Sequence, residues 1–198
     1  TNHCRLTVNS VGDGKKFISG NQCEKGLGKA TAGEQLPNLY EFKRNYLTRL
    51  KSEEGTRGTV GMPLALGMYE LLPLWHAVFT KLGFNVKVSP MSTRRIYEKG
   101  QFSIPSDTAC YPAKIMHGHI ETLISDGVDA IFYPCLTYNM DEKMTDNHYN
   151  CPVVAYYSEL LNGNVEELKR VKFLYPYLNI NSKKELAKEL YTYLGKFY

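Results

Sequence analysis

Between Ser103 and Cys135 the chain reads SIPSDTACYPAKIMHGHIETLISDGVDAIFYPC, a helical pattern followed at once by a short apolar run, with a cysteine at each outer end. Pro112 marks the first helical turn, where a missing N–H costs nothing. Ile115, Met116, His119, Ile120 and Leu123 then recur at spacings of three and four and predict one buried face. Asp126 and Gly127 end the helix. Val128 to Tyr133 follows a glycine turn, reads as a strand buried on both faces, and is closed by Pro134. If helix and strand are successive parts of one doubly wound sheet, the helix starts at the carboxyl edge and descends, and the strand climbs back. Cys110 and Cys135 then come out on the same edge, where open α/β sheets place their ligands.

The remaining pattern extends this unit in both directions. Thr59 to Met62 predicts the first sheet strand, and Met68, Leu71, Leu72, Trp75, Val78, Phe79 and Leu82 form a helical stripe that Pro73 either kinks or opens. Phe84, Val86 and Val88 alternate with polar residues as a second strand. Ser92 is expected to cap a short helix to Lys99. After Cys135, Leu136 to Asn150 reads as a long polar loop, PVVAY after Cys151 as a further strand, and Ser158 to Arg170 as helical with a break at Gly163. A capping box of Ser182 and Glu185 opens the last helix, whose face is Leu186, Leu190, Tyr193 and Leu194. The order predicts an α/β fold: a mostly parallel, three-layer, doubly wound sheet of flavodoxin or Rossmann type. A small cysteine-containing ribbon precedes it, since VGDGKK carries an Asp-Gly hairpin signal between CRLTV and KFISG. The expected division is residues 1–56 as ribbon and linker and 57–198 as the α/β domain.

The chain of 198 residues carries a formal charge of +4, too mild and too scattered to mark a nucleic-acid surface. Its longest apolar stretch, around Leu71 to Phe79, is far shorter than the roughly 20 residues of a membrane span. With no signal-peptide pattern, the cytoplasm is the expected compartment. The start at Thr1 suggests a piece of a longer polypeptide. Five cysteines, Cys4, Cys23, Cys110, Cys135 and Cys151, are an odd number that a full disulfide framework cannot use, so metal ligation or free thiols are expected. Cys4 and Cys23 either flank the ribbon as half of a metal knuckle or lie free in a leader. Cys110, at a helix start, stands where the free N–H groups and the dipole favour a thiolate. Cys135 and Cys110 are either ligands or small buried hydrophobes. Cys151, read as preceding a parallel strand, falls at the opposite edge and is left out on geometry alone. His119 is expected to be a satisfied core histidine and His117 to reach a loop. Lys114 either sits beside an anion or is solvated. No Walker or dinucleotide glycine loop occurs.

The segment from RGTVGMPLALGMYELLPLWH through GVDAIFYPC to DNHYNCPVV resembles the domain of acyl-CoA dehydratase activator-related proteins, and CRLTVNSVGDGKKFISGNQCEKGLG is similar to the segment that joins it to their activase part. These proteins resemble a fusion of the ATP-dependent activase of 2-hydroxyglutaryl-CoA dehydratase with segments like the dehydratase subunits. The resemblance implies an anaerobic iron–sulfur system in which three cysteines hold a [4Fe-4S] cluster. The motifs S-x-x-x-C-x-P and D-x-x-x-x-P-C match Cys110 and Cys135, while the remaining ligand of such relatives comes from a more distant part of the chain. Asn-Cys-Pro around Cys151 is similar to a signature of the activator-related family. Leu64, Thr137 and Asn139 depart from the more polar or acidic residues expected there. The implied partners are the activase domain of the same parent chain, which alone would bind ATP, a dehydratase subunit and an acyl-CoA substrate. The implied function is a redox module passing an electron towards a 2-hydroxyacyl-CoA. The alternative is a cluster-free docking domain between activase and dehydratase, which solvent-facing Leu186, Leu190 and Leu194 would favour.

Overall fold

The computed structural model describes residues 5–20, 36–51 and 53–198. Two units, Thr1–Arg44 and Asn45–Tyr198, separate along the chain. In the first, β1 (Thr7–Val11) and β2 (Lys15–Ser19) form an antiparallel hairpin in which Val8 faces Ile18 and Val11 faces Lys15. Asp13 (φ 68) and Gly14 (φ 72) both take the left-handed conformation that a tight hairpin turn needs, which is why Asp-Gly stands there. Cys4 and Cys23, expected at the ribbon's ends, lie outside the described residues.

Helix α1 (Leu39–Thr48) leads into the second unit. There β3 (Thr59–Met62), α2 (Gly67–Lys81), β4 (Asn85–Val88), α3 (Arg94–Gly100), α4 (Tyr111–Ser125), β5 (Ala130–Phe132), α5 (Pro152–Asn164), β6 (Lys172–Leu174) and α6 (Lys183–Leu194) follow in order. The four strands are parallel in the order β4-β3-β5-β6, so the chain starts inside the sheet, moves to one edge, and returns past β3 to the other. Pairing is fixed by Val60 opposite Val86 and Ala130, and by Ile131 opposite Phe173. Ala130, Ile131 and Phe132 are all fully buried, as a strand covered on both faces must be.

Phe132 packs edge-on against Trp75 at 5.1 Å between ring centres and against Phe79 at 4.7 Å, which binds α2 to the middle of the sheet. Pro73 sits inside α2 rather than at its first turn. The closest helix pair is α3 on α4, which approach backbone to backbone through Gly100 and Gly118; a Cβ on Gly118 would fall onto the Ile96 carbonyl oxygen.

Three expectations need correction. PVVAY is not a strand: Pro152 occupies the first turn of α5, and Ala155, Ser158 and Leu161 make its buried face. β-Branched Val153 and Val154 suit a strand locally, yet a proline after a cap residue and a three-residue apolar spacing suit a helix better. The strand that follows β5 in the sheet is instead Lys172–Leu174, and the helical stretch expected from Ser158 with a break at Gly163 is the end of α5, which stops at Asn164, and a separate 3-10 turn Glu166–Arg170. Thr93, not Ser92, caps α3, its hydroxyl accepting from Ile96 N at 3.3 Å. The Ser182 cap of α6 is present, accepting from Glu185 N at 3.3 Å. Leu190 is buried and Leu186 and Leu194 are half-buried, so the α6 leucines do not simply face solvent.

Candidate functional site

Parallel strands put all their carboxyl ends on one edge, and this fixes where the cysteines fall. Helix α4 leads into β5 and so begins at that edge, with Cys110 as its N-cap and Pro112 in its first turn. Beyond Phe132 the chain continues as Tyr133-Pro134-Cys135. Cys135 extends the ladder, its N–H donating to Pro176 O at 2.9 Å and its carbonyl accepting from Leu178 N at 3.2 Å. Helix α5 joins β5 to β6, so it too starts at the carboxyl edge, with Cys151 as its N-cap. The correction of PVVAY to a helix therefore moves Cys151 from the far edge to the edge shared by Cys110 and Cys135. Neither cysteine cap uses its side chain to cap a helix N–H, and both are exposed, whereas Cys135 is buried.

The groups behind this edge are polar and closely paired. Cys135 Sγ lies 2.9 Å from Ser158 Oγ of α5. Burial pushes the Cys135 thiol up from its ordinary value, against the opposing pull of the Ser158 hydrogen bond, so at neutral pH it carries its proton. The Tyr177 hydroxyl donates to Glu159 Oε1 at 2.7 Å, which raises its pKa, with burial and the nearby Cys135 side chain adding to the effect. His117 is fully buried on α4 with Nδ1 2.8 Å from Ser103 Oγ and Nε2 3.0 Å from the Tyr157 hydroxyl. Because the Ser103 hydroxyl donates to Gly100 O at 3.1 Å, it accepts from His117 Nδ1–H, and the Tyr157 hydroxyl then donates to Nε2. Burial first, and the nearby Cys110 side chain second, push Tyr157 up to about 12. Tyr133 lies among the same groups with its hydroxyl buried and without a partner, and burial raises it further still.

His119, two positions on, faces the other way. Leu64 N donates to Ser89 Oγ at 2.8 Å, Ser89 Oγ lies 2.7 Å from His119 Nδ1, and Ser92 Oγ lies 2.9 Å from Nε2. It is the satisfied core histidine expected, tying the loops after β3 and β4 together. Burial lowers both histidines to about 4. Lys114 Nζ donates to Asp107 O at 2.7 Å and fastens the loop before α4.

Beside Pro134, at the point where the sheet order reverses, lies a pocket of about 200 Å³ between Leu66, Gly67 and Met68 at the start of α2 and Leu136, Asn150 and Val154. Leu66 has φ 48, a conformation rare outside glycine and costing about 1–3 kcal/mol when a site holds it.

As donors the three cysteines suit an iron–sulfur group in kind. Their arrangement does not complete a site, because among the described residues no three His, Cys, Asp or Glu side chains gather as a metal-holding set. Sequence reasoning placed Cys110 and Cys135 at this edge of the sheet but did not bring Tyr157 and Ser158 to it, and the overlooked signal was Pro152. Once it is taken as a helix start, Tyr157 and Ser158 fall within two turns of Cys151 on the buried side.

A family model described as "CoA enzyme activase uncharacterised domain" matches residues 59–198. No curated protein and no solved structure matches the chain.

Proposed function

We propose, as the chain belongs to the CoA enzyme activase uncharacterised domain family, that its parallel-sheet domain is the thiolate-bearing module of a 2-hydroxyacyl-CoA dehydratase activation system. The observation that carries the reading is the convergence of Cys110, Cys135 and Cys151 on one edge of the sheet. In this reading residues 57–198 form a doubly wound domain acting in the cytoplasm. Its partners are an ATP-binding activase part of the same parent chain and a dehydratase subunit. A [4Fe-4S] group held here would take up and release single electrons for the activation of a 2-hydroxyacyl-CoA.

The residues of the chain have separate tasks. Cys110 and Cys151 stand exposed at helix starts, while Cys135 is anchored by the ladder and by Ser158. Cys135 gives up its proton on ligation, and Ser158 Oγ is positioned to stabilise the resulting thiolate. Tyr157 is fixed by His117 and keeps its own proton, which limits the negative charge beside Cys110. The pocket beside Pro134 offers room for a small apolar group next to this edge. Cys4 and Cys23 would belong to a separate metal knuckle in the ribbon.

One observation favours a second reading, a docking domain without a cluster: the thiols do not gather into a set of three in the structure. Serine variants separate the two. After anaerobic loading, Cys110→Ser and Cys135→Ser should each remove most of an iron-derived visible absorption, and Cys151→Ser should show whether the third ligand lies within this chain. Colour retained in both of the first two variants would refute the ligand assignment.

A further inference from the structure

We propose that the long groove between α6 and the corner where α2 turns into β4 docks an acidic amphipathic helix of a partner protein. The groove has a volume of about 1060 Å³ and is walled by Val78 of α2, Leu82 just after that helix, Phe84, and Leu186, Leu190 and Leu194 of α6. Tyr191 and Tyr198 stand at its rim, 83% and 46% exposed, as aromatic side chains do where one end meets a partner. Arg57 and Phe84 precede β3 and β4, so this end of the groove lies at the amino ends of the strands. The inference therefore does not depend on the thiols of the carboxyl edge.

The occupant follows from charge and shape. The charged side chains that line the groove are Arg57, Lys183 and Lys196, all cations, and no Asp or Glu side chain lines it among the described residues. Lys183 opens α6 and Lys196 lies two residues past its end, the two about 20 Å apart at the rise of a helix. Cations spread over that length do not cradle a single phosphate or headgroup; they fit acidic side chains strung along an elongated partner. The α6 wall presents its apolar residues at helical spacing over three turns, the counterpart of a helix laid in a groove. The chain's own amphipathic segment has the wrong charge for this role, since α1 carries Lys43 and Arg44 against Glu41, with Arg49 just beyond.

The test uses the 198-residue chain and two labelled peptides of roughly 16 residues, long enough for a helix to span the groove. One has leucines at helical spacing with glutamates elsewhere, and its twin has lysine for glutamate. In fluorescence anisotropy the glutamate peptide should bind saturably and the lysine peptide should not. The double variant Lys183→Glu, Lys196→Glu should weaken the glutamate peptide about tenfold, in line with two lost charge contacts. With the unaltered chain, raising salt should weaken binding likewise, and this holds whether or not the variant folds. Equal binding of both peptides, no binding of either, or binding indifferent to both salt and the folded variant would overturn the proposal. So would phosphatidylglycerol vesicles or a second copy of the chain binding, with the glutamate peptide failing, and losing that binding in the same variant.

Discussion

The role of single residues is clearest where there is no side chain at all. Gly118 and Gly100 let α3 and α4 meet at backbone distance, and a methyl group on Gly118 would have to displace the Ile96 carbonyl. Gly118→Ala should therefore cost about 3 kcal/mol or more by urea denaturation, as overpacking against backbone does. Gly127→Ala, at φ 73 with open space around it, should cost only about 1 kcal/mol. Equal losses would show that the helix crossing is not tight. The buried histidines give a second handle, on pH. His117 and His119 have folded pKa values of about 4 against an ordinary 6.5, so the fold favours their neutral forms. Their contribution is complete above about pH 6.5 and is lost as pH falls towards 4, by up to about 3 kcal/mol each. Denaturation midpoints should drop across that window, and His117→Gln should remove about half of the slope; a flat profile would contradict the buried pairing. The apolar face of α4 was legible because it repeats every three to four residues, and it already placed His119 in the core. The partners of His117 were not, because Tyr157 arrives from an element forty positions away.

Among the elements, the lesson lies in α5. Its first residues, Pro-Val-Val-Ala-Tyr, have the composition of a strand, and the proline after the cap together with burial of Ala155, Ser158 and Leu161 selects the helix. That choice decides which edge of the sheet receives Cys151. Elements with a long period, α2 and α4, and strands with clear turns, β3 and β4, were readable from the sequence, whereas β6 was not, because Lys-Phe-Leu is too short to show alternation. The placement of the thiols has a direct chemical test. With a disulfide reagent such as dithionitrobenzoate on the folded chain, the thiols of Cys110 and Cys151 should react promptly. Cys135, buried, bonded to Ser158 and with its pKa raised, should react at least about a hundredfold more slowly until the chain is unfolded. Cys135 reacting as fast as the other two would mean that the edge is open where the structure closes it.

At the scale of the whole molecule, a four-stranded parallel sheet gathers three cysteines, drawn from one strand end and two helix starts, onto a single edge. No helix among the described residues is long and apolar enough to cross a membrane. The family to which residues 59–198 belong ties the chain to CoA enzyme activases, and the opposite end of the sheet carries a basic-rimmed groove suited to a partner. If the thiolate edge takes a cluster, loading must draw Cys110 and Cys151 towards Cys135 and should stabilise the domain, since a ligand that binds only the folded chain shifts its unfolding. The most direct measurement is anaerobic reconstitution of the chain with iron and sulfide, followed by counting both per chain. The account predicts about four of each, as one cubane requires, with most of the iron lost in Cys110→Ser and in Cys135→Ser. No bound iron, or iron unaffected by either change, would contradict it and leave the domain as a docking module.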